Sequence, residues 1–181
     1  MPMKRRILTV LTALLLFAAA ASTQYSRLGF TGGISRAESA PRQNTWGFEL
    51  MESSYLFHPT PFFLDFGLEG DFRHLRGSQD EALRLGIPVK LVLDVVDITH
   101  YSSLCVHAGV TGAYNYTRPY SFDAGFHDQE GRFLVSGNYG ATLYLYVLYV
   151  TAEFTRDLMP CRADGTKYHG WRLTFGMTLH H

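Results

Sequence analysis

The sequence predicts an all-β fold: a transmembrane antiparallel up-and-down β-barrel of eight strands. Three observations point to it. Apolar and polar residues alternate with a period of two through most of the chain beyond residue 22. The alternating stretches run to ~10 residues or more, the length a tilted strand needs to cross a bilayer. The apolar face carries essentially no charge, while the other face mixes charges with Gly29, Gly33, Gly47, Gly67, Gly86, Gly109, Gly140 and Gly176.

Composition narrows the field. Of 181 residues, 46% are hydrophobic and 14% aromatic, too much bulk for a disordered chain. Only 18% are charged, and the mixture is not the Ala, Glu, Lys and Leu of a helical bundle. Sixteen basic and sixteen acidic side chains give net charge zero and no electrostatic footprint for nucleic acid.

Lys4, Arg5 and Arg6 precede an apolar run from Ile7 to Ala21, and small residues crowd Ala18 to Ser22. This reads as a signal peptide over 1–22, leaving 23–181 as the barrel domain. The run of ~15 apolar residues is short of the ~20 that a membrane helix needs. Without the three basic residues, 13 bases face 16 acids, a mature charge of −3.

Strands follow in order. Leu28, Phe30 and Ile34 alternate with Gly29, Thr31 and Gly33, and Trp46, Phe48 and Leu50 with Gly47 and Glu49. Phe62, Leu64, Phe66, Leu68 and Phe72 share a face opposite Asp65, Glu69, Asp71 and Arg73. Leu83 to Leu93 repeats this pattern, with Pro88 inside it, where a bulge is expected because proline lacks a ladder donor. Leu104 to Tyr116, Phe133 to Leu145, Leu148 to Phe154 and Trp171 to Leu179 complete eight. The run Tyr144 to Tyr149 must hold a turn but contains no turn residue.

Which face points inward decides the class. A soluble barrel would turn the apolar face in, and its interior is just wide enough for side chains to fill. The third and fourth strands alone would supply eleven large apolar groups, which overfills it. Turned outward, that face is a lipid-facing band. From a periplasmic N-terminus, Trp46, Phe72, Tyr116, Phe133, Phe154 and Trp171 fall near the outer ends as an aromatic girdle. Outer connections are then about 36–44, 74–81, 117–131 and 157–167, and inner ones lie near 53–61, 94–102 and 146.

LRLGIPVKL (Leu83 to Leu91), AGVTGAY (Ala108 to Tyr114) and YGATLYLYVLYVTAEF (Tyr139 to Phe154) resemble strands of the small eight-stranded outer-membrane barrels of the OmpX, OmpW and OmpA-barrel kind. The resemblance implies a place in the outer membrane of a diderm bacterium, with outer-membrane lipids around it and insertion by the barrel-assembly machinery. The final strand fits the usual alternating signal through Leu173, Phe175, Met177 and Leu179, and departs from it at His181, where an aromatic is usual.

Chemistry is sparse. His100-Tyr101-Ser102 resembles the His-x-Ser element of lipid A deacylases, in which His activates Ser. Here it falls in an inner turn, away from surface lipid, and Ser103 stands where Asn is expected. His127, His169 and Cys161 sit on outer connections without metal-ligand spacing, so neither cofactor nor metal is expected. Cys105 at an inner end and Cys161 on the last outer loop are too far apart to pair. Setting Phe72 against Leu83 places Asp71 opposite Arg84 and Asp65 opposite Lys90, all inward. Setting Phe154 against Trp171 places Glu153 opposite Arg172 and Tyr149 over Gly176. These six charges are the candidate ion pairs of a plugged lumen. The expectation is a non-enzymatic barrel meeting host or environmental ligands through its outer loops. The alternatives are a narrow conduit for small hydrophobic molecules of the OmpW kind, or a lipid A-modifying enzyme.

Overall fold

The computed structural model describes residues 23–37, 40–55, 61–75, 81–99, 102–118, 120–121, 125–126, 130–160 and 165–180, so the expected signal segment lies outside the described residues. Alternation of period two becomes β1 (Thr23–Ala37), β2 (Ala40–Tyr55), β3 (Phe62–Leu75), β4 (Glu81–Thr99), β5 (Ser102–Arg118), β6 (Tyr120–Ser121), β7 (Gly125–Phe126), β8 (Glu130–Leu145), β9 (Leu148–Asp157) and β10 (His169–His180). Eight of these close an antiparallel barrel in chain order, with β10 returning to β1. The other two, β6 and β7, pair with each other inside the β5–β8 connection. Two residues apiece are too few for alternation to reveal them.

Several strands outrun the sequence reading. β1 reaches Ala37 and β2 begins at Ala40, so most of the expected outer connection 36–44 is ladder. Likewise β4 runs to Thr99 and β5 starts at Ser102, which converts the inner connection 94–102. Beyond the lipid both faces meet water, so alternation fades although the backbone still pairs.

One local feature differs from expectation, and another falls where it was expected. Pro88 carries no bulge. It pairs with Thr111 on β5, while pairing to β3 lapses opposite Ile87 and Pro88 and resumes in the same register. The missing donor is absorbed by an open rung rather than an inserted residue. The turn after β8 is Tyr146–Val147, with φ of 61° at Tyr146, the type II′ pattern that glycine usually fills. β10 supports it from the side: Thr178 N donates to Val147 O at 2.8 Å, and Thr178 Oγ1 donates to Tyr146 O at 3.1 Å.

The registers fix the shape of the cylinder. Following paired residues from Ser26 to Glu52, Phe66, Val89, Val110, Gly137, Arg156 and His169 returns to β1 at Arg36, displaced by ten residues. With ~3.3 Å per residue and ~4.8 Å between strands, eight strands and a shear of ten give a tilt of about 40° and a backbone radius of about 8 Å. Along β3, Phe62 and Phe72 are both exposed and ten residues apart. At that tilt they span about 25 Å of axial height, the thickness of an apolar membrane band.

Sidedness is strict within this band. Phe30 is 76% exposed, Trp46 61% and Phe175 58%, while the interior is polar and charged. Buried apolar clusters occur at its two ends: Phe63, Val92, Cys105, Tyr144 and Tyr149 toward the inner side, and Ala113, Leu134 and Tyr168 toward the outer.

Candidate functional site

Inward positions on all eight barrel strands meet in the lumen. Phe72 stands opposite Leu83 and Phe154 opposite Trp171, which sets Asp71 across from Arg84, Asp65 from Lys90, Glu153 from Arg172 and Tyr149 from Gly176. All six candidate charges are buried. Their partners differ from the register for two of the three expected pairs.

Arg172 and Glu153 do meet: Arg172 Nε donates to Glu153 Oε1 at 2.9 Å. Arg172 also donates to Glu69 Oε2 at 2.6 Å and reaches Asp71 Oδ2 at 3.5 Å. Lys90 pairs not with Asp65 but with Glu153, Nζ to Oε2 at 2.5 Å. His107 Nε2 lies 3.0 Å from the same carboxylate oxygen. Arg84 pairs not with Asp71 but with Glu69 at 3.3 Å, and with Asp157 across the lumen at 3.7 Å. Asp65 is held by Arg27 and by the Ser53 hydroxyl, which donates at 2.5 Å.

Shear explains the exchange of partners. A row of register neighbours climbs the barrel axis by about 1.25 residues per strand, because ten residues are distributed over eight strands. Arg27 with Asp65, Arg172 with Glu69 and Arg84 with Asp157 each stand within about half a residue of one height. A long cation in a barrel of about 8 Å backbone radius therefore reaches level across the bore more readily than along the ladder.

The lumen contents stack in tiers. At the inner end, Arg27 donates to Tyr144 Oη at 2.8 Å and lies over the Tyr144 and Tyr149 rings, 5.8 and 5.3 Å from their centroids. Tyr149 Oη donates to Glu49 at 2.9 Å, and its ring lies over Gly176, where any Cβ would strike it. The middle tier is Lys90, His107, Glu153, Arg172 and Glu69. At the outer end, Asp157 accepts from Ser136 Oγ at 2.8 Å and Tyr168 N at 3.1 Å, and Arg73 lies over the Tyr168 ring. The residues that sequence reasoning missed as partners are Arg27, Glu49, Glu69, His107 and Asp157. All share inward parity, so the shear would have found them.

All six girdle residues face outward. Trp46 and Phe72 stack at 4.6 Å, and Phe154 meets Trp171 edge-on at 5.4 Å and Tyr139 at 5.3 Å. Tyr116 is level in register with Leu83 and Phe133 with Tyr114, which sets these two higher on the axis than Phe154. His100, Tyr101, His127 and Cys161 lie outside the described residues; Ser102 begins β5 and His169 begins β10. Cys105 is buried and free. Among the described residues, no group of three or more His, Cys, Asp or Glu could hold a metal ion.

An apolar band outside, charges inside and a closed ladder of eight strands define a small β-barrel of the transmembrane type. No family model and no curated protein matches the chain. Solved structures do. The attachment invasion locus protein Ail of Yersinia pestis superposes with a TM-score of 0.53 at 17% identity, covering 87% of this chain and 99% of that one. Neisserial surface protein A gives 0.58 at 8% identity over 89% and 99%. The N-terminal β-barrel domain of Pseudomonas aeruginosa OprF gives 0.50 at 12% identity over 87% and 98%. At these identities the likeness is one of fold.

Proposed function

We propose that the protein is an integral outer-membrane barrel, non-enzymatic and plugged, that works through the surface it presents outside the cell. The observation that carries this reading is the tiered ion-pair network. Arg84, Glu69, Arg172, Glu153 and Lys90 form one connected chain of contacts across the bore. Separating such buried pairs costs several kcal/mol, so a permanent water path is disfavoured. With the bore filled, the faces left for function are the outer rim and loops. Two of the similar structures, a surface protein and an attachment invasion locus protein, carry names that agree with such a role. The basic, apolar and small-residue start of the chain supports export by a signal peptide, and the barrel-assembly machinery would insert it.

The test is conductance. Refolded barrel in a planar bilayer should show no steady current. A stable conductance that Arg172→Ala does not change would refute the plug and favour a conduit.

A further inference from the structure

We infer that the outer rim of β9, β10 and β1 holds a phosphate-bearing, multiply acylated lipid of the outer leaflet, its phosphates on Arg36, Arg156, Lys167 and His169. This rests on the sidedness and membrane placement proposed above.

The registers place Arg36 opposite His169, and His169 opposite Arg156. All three are on the outward parity of their strands, so they form one row across three strands. Neighbouring Cβ atoms in such a row are ~5 Å apart, and the two arginines about 10 Å. The next outward row below is Ile34, Trp171, Phe154 and Tyr139. Arg156 thus sits directly above Phe154 and His169 above Trp171, both rings on the outward face, with Arg36 above Ile34.

Height agrees. With a climb of about 1.25 residues per strand, Arg156 and His169 stand level with Trp46 and Phe72 on the other side of the barrel. That is the girdle level, where headgroups begin.

A recess is built beside the row. It measures about 490 Å³ and is lined by Phe154, Arg156, Lys167, Tyr168 and His169 among others. Its loop wall is tied down: Asp157 N donates to Tyr168 O at 2.8 Å, Tyr168 N donates back to Asp157 Oδ2, and Lys167 Nζ donates to Leu158 O at 2.8 Å. Among the described residues, none of these four side chains has a carboxylate partner, and no carboxylate lines the recess. The corresponding row on β2, β3 and β4 is Asn44, His74 and Glu81, which carries an acid. That row therefore does not repeat the positive sector. Arginine recognises phosphate through paired N–H donors, and the acyl chains would lie on Trp171 and Ile34.

The experiment uses the full barrel refolded in detergent micelles, with native mass spectrometry reading retention of diphosphoryl lipid A, phosphatidylcholine and inorganic pyrophosphate. Wild type should retain the diphosphoryl lipid selectively. Arg36→Ala, Arg156→Ala and Lys167→Ala together should weaken retention on the order of 100-fold, and Arg156→Glu alone should also weaken it. Asn44→Ala with His74→Ala should leave it unchanged. Equal retention by wild type and the triple variant overturns the site. Pyrophosphate held as tightly as the lipid overturns the lipid as occupant. In bilayers, Trp46 and Trp171 should be quenched by brominated acyl chains. Absence of that quenching overturns the membrane reading itself, whereas quenching without lipid selectivity removes only this site.

Discussion

Arg172→Ala is the sharpest perturbation of the interior. Among the described residues, the lumen buries six carboxylates, Glu49, Asp65, Glu69, Asp71, Glu153 and Asp157, against the fixed cations Arg27, Arg73, Arg84, Lys90 and Arg172. Removing Arg172 leaves six against four and strips Glu69 and Glu153 of their shortest guanidinium contacts, both at 2.6 Å. Breaking a buried pair by deleting one partner costs about 3–5 kcal/mol. For a chain of this size each kcal/mol is worth about 2–4 °C, so the unfolding midpoint should fall by roughly 6–20 °C. The assay is thermal unfolding in micelles by circular dichroism, with the heat-induced mobility shift as a second reading. Arg42 is exposed, and Arg42→Ala should cost no more than about 0.5 kcal/mol. Adding Glu69→Gln to Arg172→Ala should restore part of the loss, because it removes one uncompensated carboxylate. Equal effects of Arg172→Ala and Arg42→Ala would refute the claim that the network holds the bore together.

Other outcomes follow from packing. A Cβ at Gly176 would meet the Leu28 carbonyl, the Tyr149 ring at 2.5 Å and Gly29 Cα at 2.6 Å. Gly176→Val should therefore destabilise the barrel by about 1–3 kcal/mol, seen as a lower unfolding midpoint; an unchanged midpoint would mean that the seam can open to admit it. Cys105 is 1% exposed, so in a Cys161→Ser background it should resist maleimide in the folded barrel and react fully once unfolded. Rapid labelling of the folded form would show that the inner end of the bore is open.

Much of this architecture was legible in the alternation. A one-residue slip in any strand would move its whole apolar set from lipid to lumen, so matching Phe72 to Leu83 and Phe154 to Trp171 settles parity for both hairpins. Of the ion-pair partners, Arg172 with Glu153 was legible from its own hairpin; the others were not, because Asp65 meets Arg27 and Lys90 meets Glu153 only after the ring closes and its shear is known. The Tyr146–Val147 turn lies where the alternation left room for it, with no turn residue to mark it. Its support comes from Thr178 on a neighbouring strand rather than from its own residues. Pro88 misled because an open rung and a bulge accommodate a missing donor equally, and the residue alone does not choose between them.

The seam between β1 and β10 also bears on how the cylinder forms. Each hairpin joins residues near in sequence, whereas Tyr25 meets His180 across nearly the whole described chain. Closing so long a loop carries the largest entropic cost of any pairing in the barrel and is rewarded only when both edges arrive together. Until then, β1 and β10 each present a row of unsatisfied donors and acceptors, which hydrocarbon does not tolerate. Small residues line the contact: Gly33, Gly170 and Gly176 each place a backbone carbonyl of the opposite strand where a side chain would otherwise begin. Where these glycines stand, the two edges can zip with little side-chain rearrangement. The chain ends are thus the last to meet, and whatever delivers this protein to the bilayer must shelter two open edges until they do.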